Sequence, residues 1–173
     1  MEAEKARAPG GTLSTEPDFD SLTGLVNRAE LLRRLANLWL PYGARRTAPL
    51  GVLLFDIDRF HLVNEQFGSV AGDEVLATIA HRMRIRARRG DLVARYGSDR
   101  FVIVLGRVAG PREAQGASDR FRLAQLEPIA VGTQWVSASL SSGVAVARQG
   151  EHPHATLERA ERDLLASRGR CRP

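Results

Sequence analysis

Leu50-Gly51-Val52-Leu53-Leu54-Phe55, six residues without a polar side chain, follow Pro49 and run straight into Asp56-Ile57-Asp58. A run this short and this apolar reads as a strand buried on both faces, because an amphipathic helix or a half-exposed strand would interrupt it with polar positions. A buried strand of this kind needs neighbouring strands and a cover on each side. It also delivers two carboxylates to the edge of a sheet, where they are costly unless a cation or hydrogen-bond donors meet them.

The surrounding segments supply the neighbours and the cover. Asp91 to Tyr96 and Phe101 to Leu105 read as strands, with Gly97-Ser98-Asp99-Arg100 between them as a tight hairpin. Val131 to Ala147 holds at least one long strand. Helices are expected over Asn27 to Leu40, with Leu31, Leu32, Leu35 and Leu38 in a three-to-four spacing, and over a short stretch from Arg59 to Gln66. Further helices fit Ala71 to Ala87, Pro111 to Leu126, and Pro153 to Arg168, the last with Leu157, Ala160, Leu164 and Leu165 on one side. Strands alternate with helices and one strand pair is a direct hairpin, which gives an α/β (α+β) layer with helices packed on a central sheet.

The chain has 173 residues, and 43% are hydrophobic, enough for one domain with a real core. Residues 1–19 are expected to be a flexible arm and 20–173 the domain. The N-terminal stretch to Pro17 lacks the apolar segment of a secretory signal, no apolar run nears the ~18–20 residues that span a bilayer, and Cys171 is the only cysteine. The cytoplasm is the expected compartment. The net charge is +5, and every cation except Lys5 is arginine. Arginine suits planar recognition of phosphates, carboxylates and guanine edges, but net charge alone does not choose between nucleotide and nucleic acid. The cluster His81-Arg82-Met83-Arg84-Ile85-Arg86-Ala87-Arg88-Arg89 reads most simply as the solvated face of a helix.

If the hairpin strands lie beside the buried strand, Asp99 at the hairpin tip converges on Asp56. Two carboxylates completed by phosphate oxygens are the usual setting for Mg²⁺. The plainer reading makes Asp58 a helix cap and Asp99 a turn residue.

Several segments agree with one known pattern in order and spacing. These are Asp20-Ser21-Leu22-Thr23-Gly24-Leu25-Val26-Asn27-Arg28, Phe55-Asp56-Ile57-Asp58-Arg59-Phe60-His61, Asn64-Glu65-Gln66-Phe67-Gly68 with Gly72-Asp73, Arg95-Tyr96-Gly97-Ser98-Asp99-Arg100-Phe101, and Ser141-Ser142-Gly143-Val144-Ala145. Together they resemble the GGDEF domain of bacterial diguanylate cyclases from Asp20 to the C-terminus. The resemblance implies a central, mostly antiparallel sheet wrapped by helices, like the palm of nucleotide polymerases. It implies an activity that joins two GTP into cyclic di-GMP across a dimer, with Mg²⁺ on the phosphates.

Carried over position by position, the resemblance makes Asp56, the Ile57 carbonyl and Asp99 the metal ligands, with Asp99 the catalytic signature residue. Asn64 and Asp73 become the guanine-recognising pair. His61, Arg100, Arg168 and Arg172 become phosphate contacts. Arg88-Arg89-Gly90-Asp91 reads R-x-x-D at the family's distance before Gly97, so Arg88 and Asp91 match the inhibitory site for cyclic di-GMP. Arginine forks onto guanine O6 and N7, and a carboxylate accepts guanine N–H donors.

The departures cluster at the signature. Ser98 replaces a glycine, and its Cβ is expected to strain the turn or crowd a ligand. Arg100 replaces an acid and puts a cation beside the metal carboxylates. At 4–6 Å and an effective dielectric of ~20, each unit charge is worth roughly 3–4 kcal/mol before screening. His61 stands for a lysine, and Ser69 for a histidine. Without a gap, Arg168 takes the place of a phosphate-binding lysine and Arg172 that of its arginine partner, which is the preferred alignment. Aligned on Gly169-Arg170, the lysine is lost. The expected function is therefore a degenerate module that binds cyclic di-GMP or GTP and acts on a protein partner or a second copy. The alternatives are a weakly active diguanylate cyclase and a nucleotide-free dimerisation module. Nucleic acid is not an expected partner.

Overall fold

The structure is a computed structural model that describes residues 18–39 and 49–170. The arm expected over 1–19 lies outside them except for Asp18 and Phe19. Those two are tied down: the Asn27 amide donates to the Asp18 carbonyl at 3.1 Å, and Phe19 bridges Val26. Arg172 and Cys171 also lie outside the described residues.

The apolar run forms β1 (Gly51–Ile57), which extends past Phe55 to take in Asp56 and Ile57 and is buried at every residue. It lies between β3 (Arg100–Leu105) and β6 (Leu140–Val146), and β2 (Leu92–Arg95) closes the other edge, giving the order β2-β3-β1-β6. Every pair is antiparallel. Alternation along β1 splits the core in two. Leu53, Phe55 and Ile57 face α3 (Ser69–Arg86) and α4 (Pro111–Leu123), packing with Val75, Ile79, Met83 and Phe121. Val52 and Leu54 face α1 (Arg28–Trp39) and α5 (Pro153–Arg170), packing with Leu31, Leu35, Leu157 and Leu164. Leu32 and Leu165, expected on these helix faces, are exposed instead, since each lies one residue past the buried stripe.

α5 lies directly on the backbone of β6. A Cβ on Gly143 would collide with the Ala160 carbonyl oxygen and the Leu164 amide, so only glycine allows this approach. The Val144 amide donates to Asp163 at 2.8 Å and fixes the helix in register. α1 starts after Asn27, whose side-chain oxygen accepts from the Glu30 amide at 2.9 Å, a normal N-cap. α2 (Phe60–Phe67) and α3 follow β1 without a long loop.

The long strand expected within Val131 to Ala147 is β6. Before β6 the chain makes a small separate hairpin of β4 (Ile129–Val131) and β5 (Gln134–Val136), with Gly132 at φ 56 in its two-residue turn. Only Ile129 and Val136 are buried there, too few to produce a readable alternation. Arg82 holds the start of the hairpin, donating to the Glu127 carbonyl at 2.6 Å and the Pro128 carbonyl at 3.1 Å.

Candidate functional site

Strand parity decides what meets Asp56. It follows Val52 and Leu54 on the side of α5, and its cross-strand partner in β3 is Arg100. Arg100 Nε donates to Asp56 Oδ2 at 2.9 Å. From α5, Arg168 Nη2 forms an ion pair with the other oxygen, Oδ1, which has no hydrogen bond of its own. Asp56 is only 2% exposed. Burial pushes its carboxyl above the ordinary range and the Asp99 charge adds to this, while Arg100 and Arg168 pull the other way.

The hairpin tip is clamped. The Tyr96 amide donates to the Arg100 carbonyl at 2.8 Å. Arg95 donates to the Ser98 carbonyl at 2.8 Å and the Gly97 carbonyl at 3.2 Å, and it pairs with both oxygens of Asp20 at 3.1 and 3.2 Å. Burial opposes ionisation of Asp20, but bonds from Thr23 and Arg95 outweigh it and hold the carboxyl below its ordinary range. The sequence motif contains Arg95 and Asp20 but does not disclose that they brace each other. The strain expected at Ser98 is absent. Arg59 is the only non-glycine at positive φ among the described residues, so Ser98 sits in ordinary backbone, and its hydroxyl donates to Asp99 Oδ1 at 2.8 Å. The Ile57 amide donates to the Asp99 carbonyl at 3.1 Å, which joins the tip to the end of β1.

Asp58 caps no helix. Its two oxygens accept from Ser139 and Ser141, both at 2.6 Å, and the residue before α2 is Arg59, at φ 54 and without a side-chain cap.

These groups line an open cleft of about 1150 Å³. Asp56, Ile57, Asp99, Arg100 and Arg168 are in its lining, with His61 on the first turn of α2, Arg122 and Trp135. Asn64 and Asp73 are not in those walls. They are exposed on α2 and α3, and Asn64 Oδ1 occupies the space that a Cβ on Gly72 would take, next to Asp73. Among the described residues no three His, Cys, Asp or Glu side chains form a metal-binding group. A divalent cation does not fit the Asp56 arrangement, because both oxygens already face guanidinium groups and one would have to be displaced.

The R-x-x-D segment lies elsewhere, after α3. Asp91 Oδ2 accepts from the Arg88 amide at 2.9 Å, and Oδ1 accepts from the Gly106 amide at 3.3 Å. Gly90, at φ 99, makes the turn, and a Cβ on Gly106 would lie 2.6 Å from the Gly90 carbonyl oxygen. The Arg88 side chain is 67% exposed and only loosely paired with Glu113, at 3.6 Å. Arg84, Arg88, Arg89, Asp91 and Phe19 line a groove of about 380 Å³.

The sequence model of the family described as "Diguanylate cyclase, GGDEF domain" matches residues 18–172. The chain belongs to the GGDEF domain family. As a GGDEF domain it is 34% identical over 163 residues to the diguanylate cyclase TpbB of Pseudomonas aeruginosa, covering 93% of this chain and 37% of that protein. It is 33% identical over 153 residues to the response regulator PleD of Caulobacter vibrioides, covering 86% of this chain and 33% of that one. The chain thus spans about a third of the length of these relatives. The structure of an N-terminally truncated TpbB comprising only the GGDEF domain superposes with a TM-score of 0.81 at 36% identity, covering 89% of this chain and 90% of that one. The coiled coil and GGDEF domain of DgcB from Caulobacter crescentus, solved in complex with c-di-GMP, gives 0.82 at 26% identity over 90% of this chain and 82% of that one. The palm-like antiparallel sheet is therefore this GGDEF domain's fold. None of the described helices is long and apolar enough to cross a membrane.

Proposed function

We propose that this GGDEF domain is a regulatory module that binds cyclic di-GMP or GTP and does not cyclise GTP. The observation that carries this reading is the pairing of Asp56 with both Arg100 and Arg168. A cyclase needs that carboxylate for a metal, whereas here two guanidinium groups neutralise it in a buried position. With Arg59 and Arg122 the cleft lining holds four arginines against Asp56, Asp58 and Asp99, an excess of one positive charge that suits phosphate.

Arg88 and Asp91 support the cyclic di-GMP arm of the proposal. Asp91 already accepts two backbone amides, but a carboxylate has about four acceptor sites, and the Arg88 guanidinium stands in solvent. The relative DgcB, crystallised with this ligand, makes it the first one to try. The output passes to a protein partner or a second copy of the domain.

Two measurements test the reading. Protein stripped of copurified nucleotide and incubated with GTP and Mg²⁺ yields no cyclic di-GMP on chromatography, and sustained turnover would replace this reading with that of a weak cyclase. Calorimetry with cyclic di-GMP shows binding that Arg88→Ala abolishes. If neither cyclic di-GMP nor GTP binds the wild type, the domain is a nucleotide-free dimerisation module.

A further inference from the structure

Gly72 is buried in the interior of α3 on ordinary helical backbone, a place where only proline is a poorer choice than glycine. No turn or positive φ accounts for it. What fills the space of its missing side chain does. A Cβ there would overlap Asn64 Oδ1 outright and stand 3.0 Å from Asn64 Cγ, with the Phe60 ring 3.2 Å away. Gly68, at φ 85, both ends α2 and starts α3, so the chain turns sharply there and brings Asn64 against this gap.

The contact sets which way the amide faces. The Gly72 hydrogen that stands in the Cβ direction points at Oδ1, an arrangement that suits an oxygen and would leave an NH₂ group facing a hydrogen. Nδ2 is therefore the end turned away from Gly72. Asn64 is exposed and its side chain makes no hydrogen bond among the described residues, so the fold does not use that donor. Asp73, directly after Gly72 and also exposed, supplies acceptors.

We infer that Gly72 is a positioning residue for guanine recognition: its missing side chain seats Asn64 with Oδ1 inward, so that Nδ2 donates to the base while Asp73 accepts from it. Guanine flanks its N1–H and N2–H donors with acceptors, O6 and N3, and so matches an amide donor beside a carboxylate. Adenine presents an acceptor, N1, where the carboxylate requires a donor. This rests on the reading that the domain binds GTP, with Asn64 and Asp73 on the base.

The test compares wild type, Gly72→Ala, Asn64→Ala and the double variant, each as the full chain in EDTA. Displacement of a fluorescent GTP analogue by GTP and by ATP gives both affinities. Wild type is expected to favour GTP by about tenfold or more. Gly72→Ala weakens GTP by roughly tenfold and lowers the GTP-over-ATP ratio with it. In the Asn64→Ala background the same change alters GTP affinity by less than about twofold, because Asn64 no longer fills the space. The melting temperature of Gly72→Ala is no lower than that of wild type, since a surface side chain yields and alanine is the better helix former. Unchanged GTP affinity in Gly72→Ala overturns the inference. So does a loss that persists in the Asn64→Ala background, or one that ATP shares equally. A lowered melting temperature overturns it too, because Phe60 or the helix backbone would then be giving way. A wild type that binds GTP without preferring it to ATP overturns it and leaves the regulatory reading intact. A wild type that binds cyclic di-GMP but not GTP also overturns it, yet leaves that reading standing on Arg88 and Asp91. Binding of neither overturns both.

Discussion

Arg100→Glu restores an acid to the hairpin and reverses the charge facing Asp56. Nε lies 2.9 Å from Oδ2, and the Asp56 carboxylate is buried while the Arg100 side chain is 41% exposed. Two unit charges about 4 Å apart interact by about 4 kcal/mol at an effective dielectric of 20, so the reversal is worth at most ~8 kcal/mol. Solvent at the exposed guanidinium screens most of this, and a net loss of about 2 kcal/mol is a reasonable expectation. In a domain of this size 1 kcal/mol moves the midpoint by about 2–4 °C, so the variant melts about 4–8 °C lower in EDTA. Its second consequence is more specific. With Asp56, Asp99 and Glu at position 100 converging against Arg168 alone, millimolar Mg²⁺ recovers part of the lost stability, whereas the wild type shows no Mg²⁺ response. Scanning fluorimetry of both proteins in EDTA and in Mg²⁺ measures this directly. A wild type stabilised by Mg²⁺, or a variant as stable as wild type in EDTA, refutes the claim that Arg100 occupies the role of a cation at Asp56.

Other outcomes follow from single contacts. Gly143→Ala drives a methyl into the α5 backbone at Ala160 and Leu164 and costs about 3 kcal/mol or more, measured by urea denaturation; a neutral result would mean that α5 does not pack this closely. Arg59→Gly relieves a left-handed residue at φ 54 and raises stability by about 1 kcal/mol in the same assay. Hydrogen bonds from Arg159 at 2.8 and 2.6 Å hold the Glu151 carboxyl, against burial, at about 2 instead of the usual 4.5. A depressed folded pKa contributes stability that is complete above pH ~4.5 and is lost as pH falls toward 2. Glu151→Gln therefore costs on the order of 2 kcal/mol at neutral pH and flattens the acid limb of the stability profile, and an unchanged acid limb would contradict the pairing.

Much of the frame could be read from local pattern. The run before Asp56 was legible because a strand buried on both faces has no polar positions to hide it, and the hairpin after Arg95 because two apolar stretches flank a turn. The first long helix was legible from its leucine spacing, although Asn27 turned out to cap it and not to begin it. What remained hidden depends on pairings that span the chain. Nothing local tells Arg168 to reach Asp56; that contact follows from the even-numbered parity of β1 and from Gly143 letting α5 lie on β6. The hairpin of β4 and β5 was invisible because only two of its side chains are buried, and its anchor is a distant arginine, Arg82. Ser98 misled because the strain argument assumed a positive φ that this turn does not use. Asn64 and Asp73 were paired by motif, and the helices do bring them near each other, but outside the walls of the cleft that holds Asp56. Asp91 was legible as part of the R-x-x-D motif, but not as the acceptor of the Gly106 amide.

In the proposed reading Asp56, held by two arginines, serves binding without cyclisation. A crystal structure of the protein grown with a non-hydrolysable GTP analogue and excess Mg²⁺ examines it most directly. The expected result is nucleotide in the cleft, Arg100 still on Asp56 Oδ2, and no metal ion on that carboxylate. Two well-occupied magnesium ions on Asp56 and Asp99, with Arg100 swung out toward solvent, would contradict it.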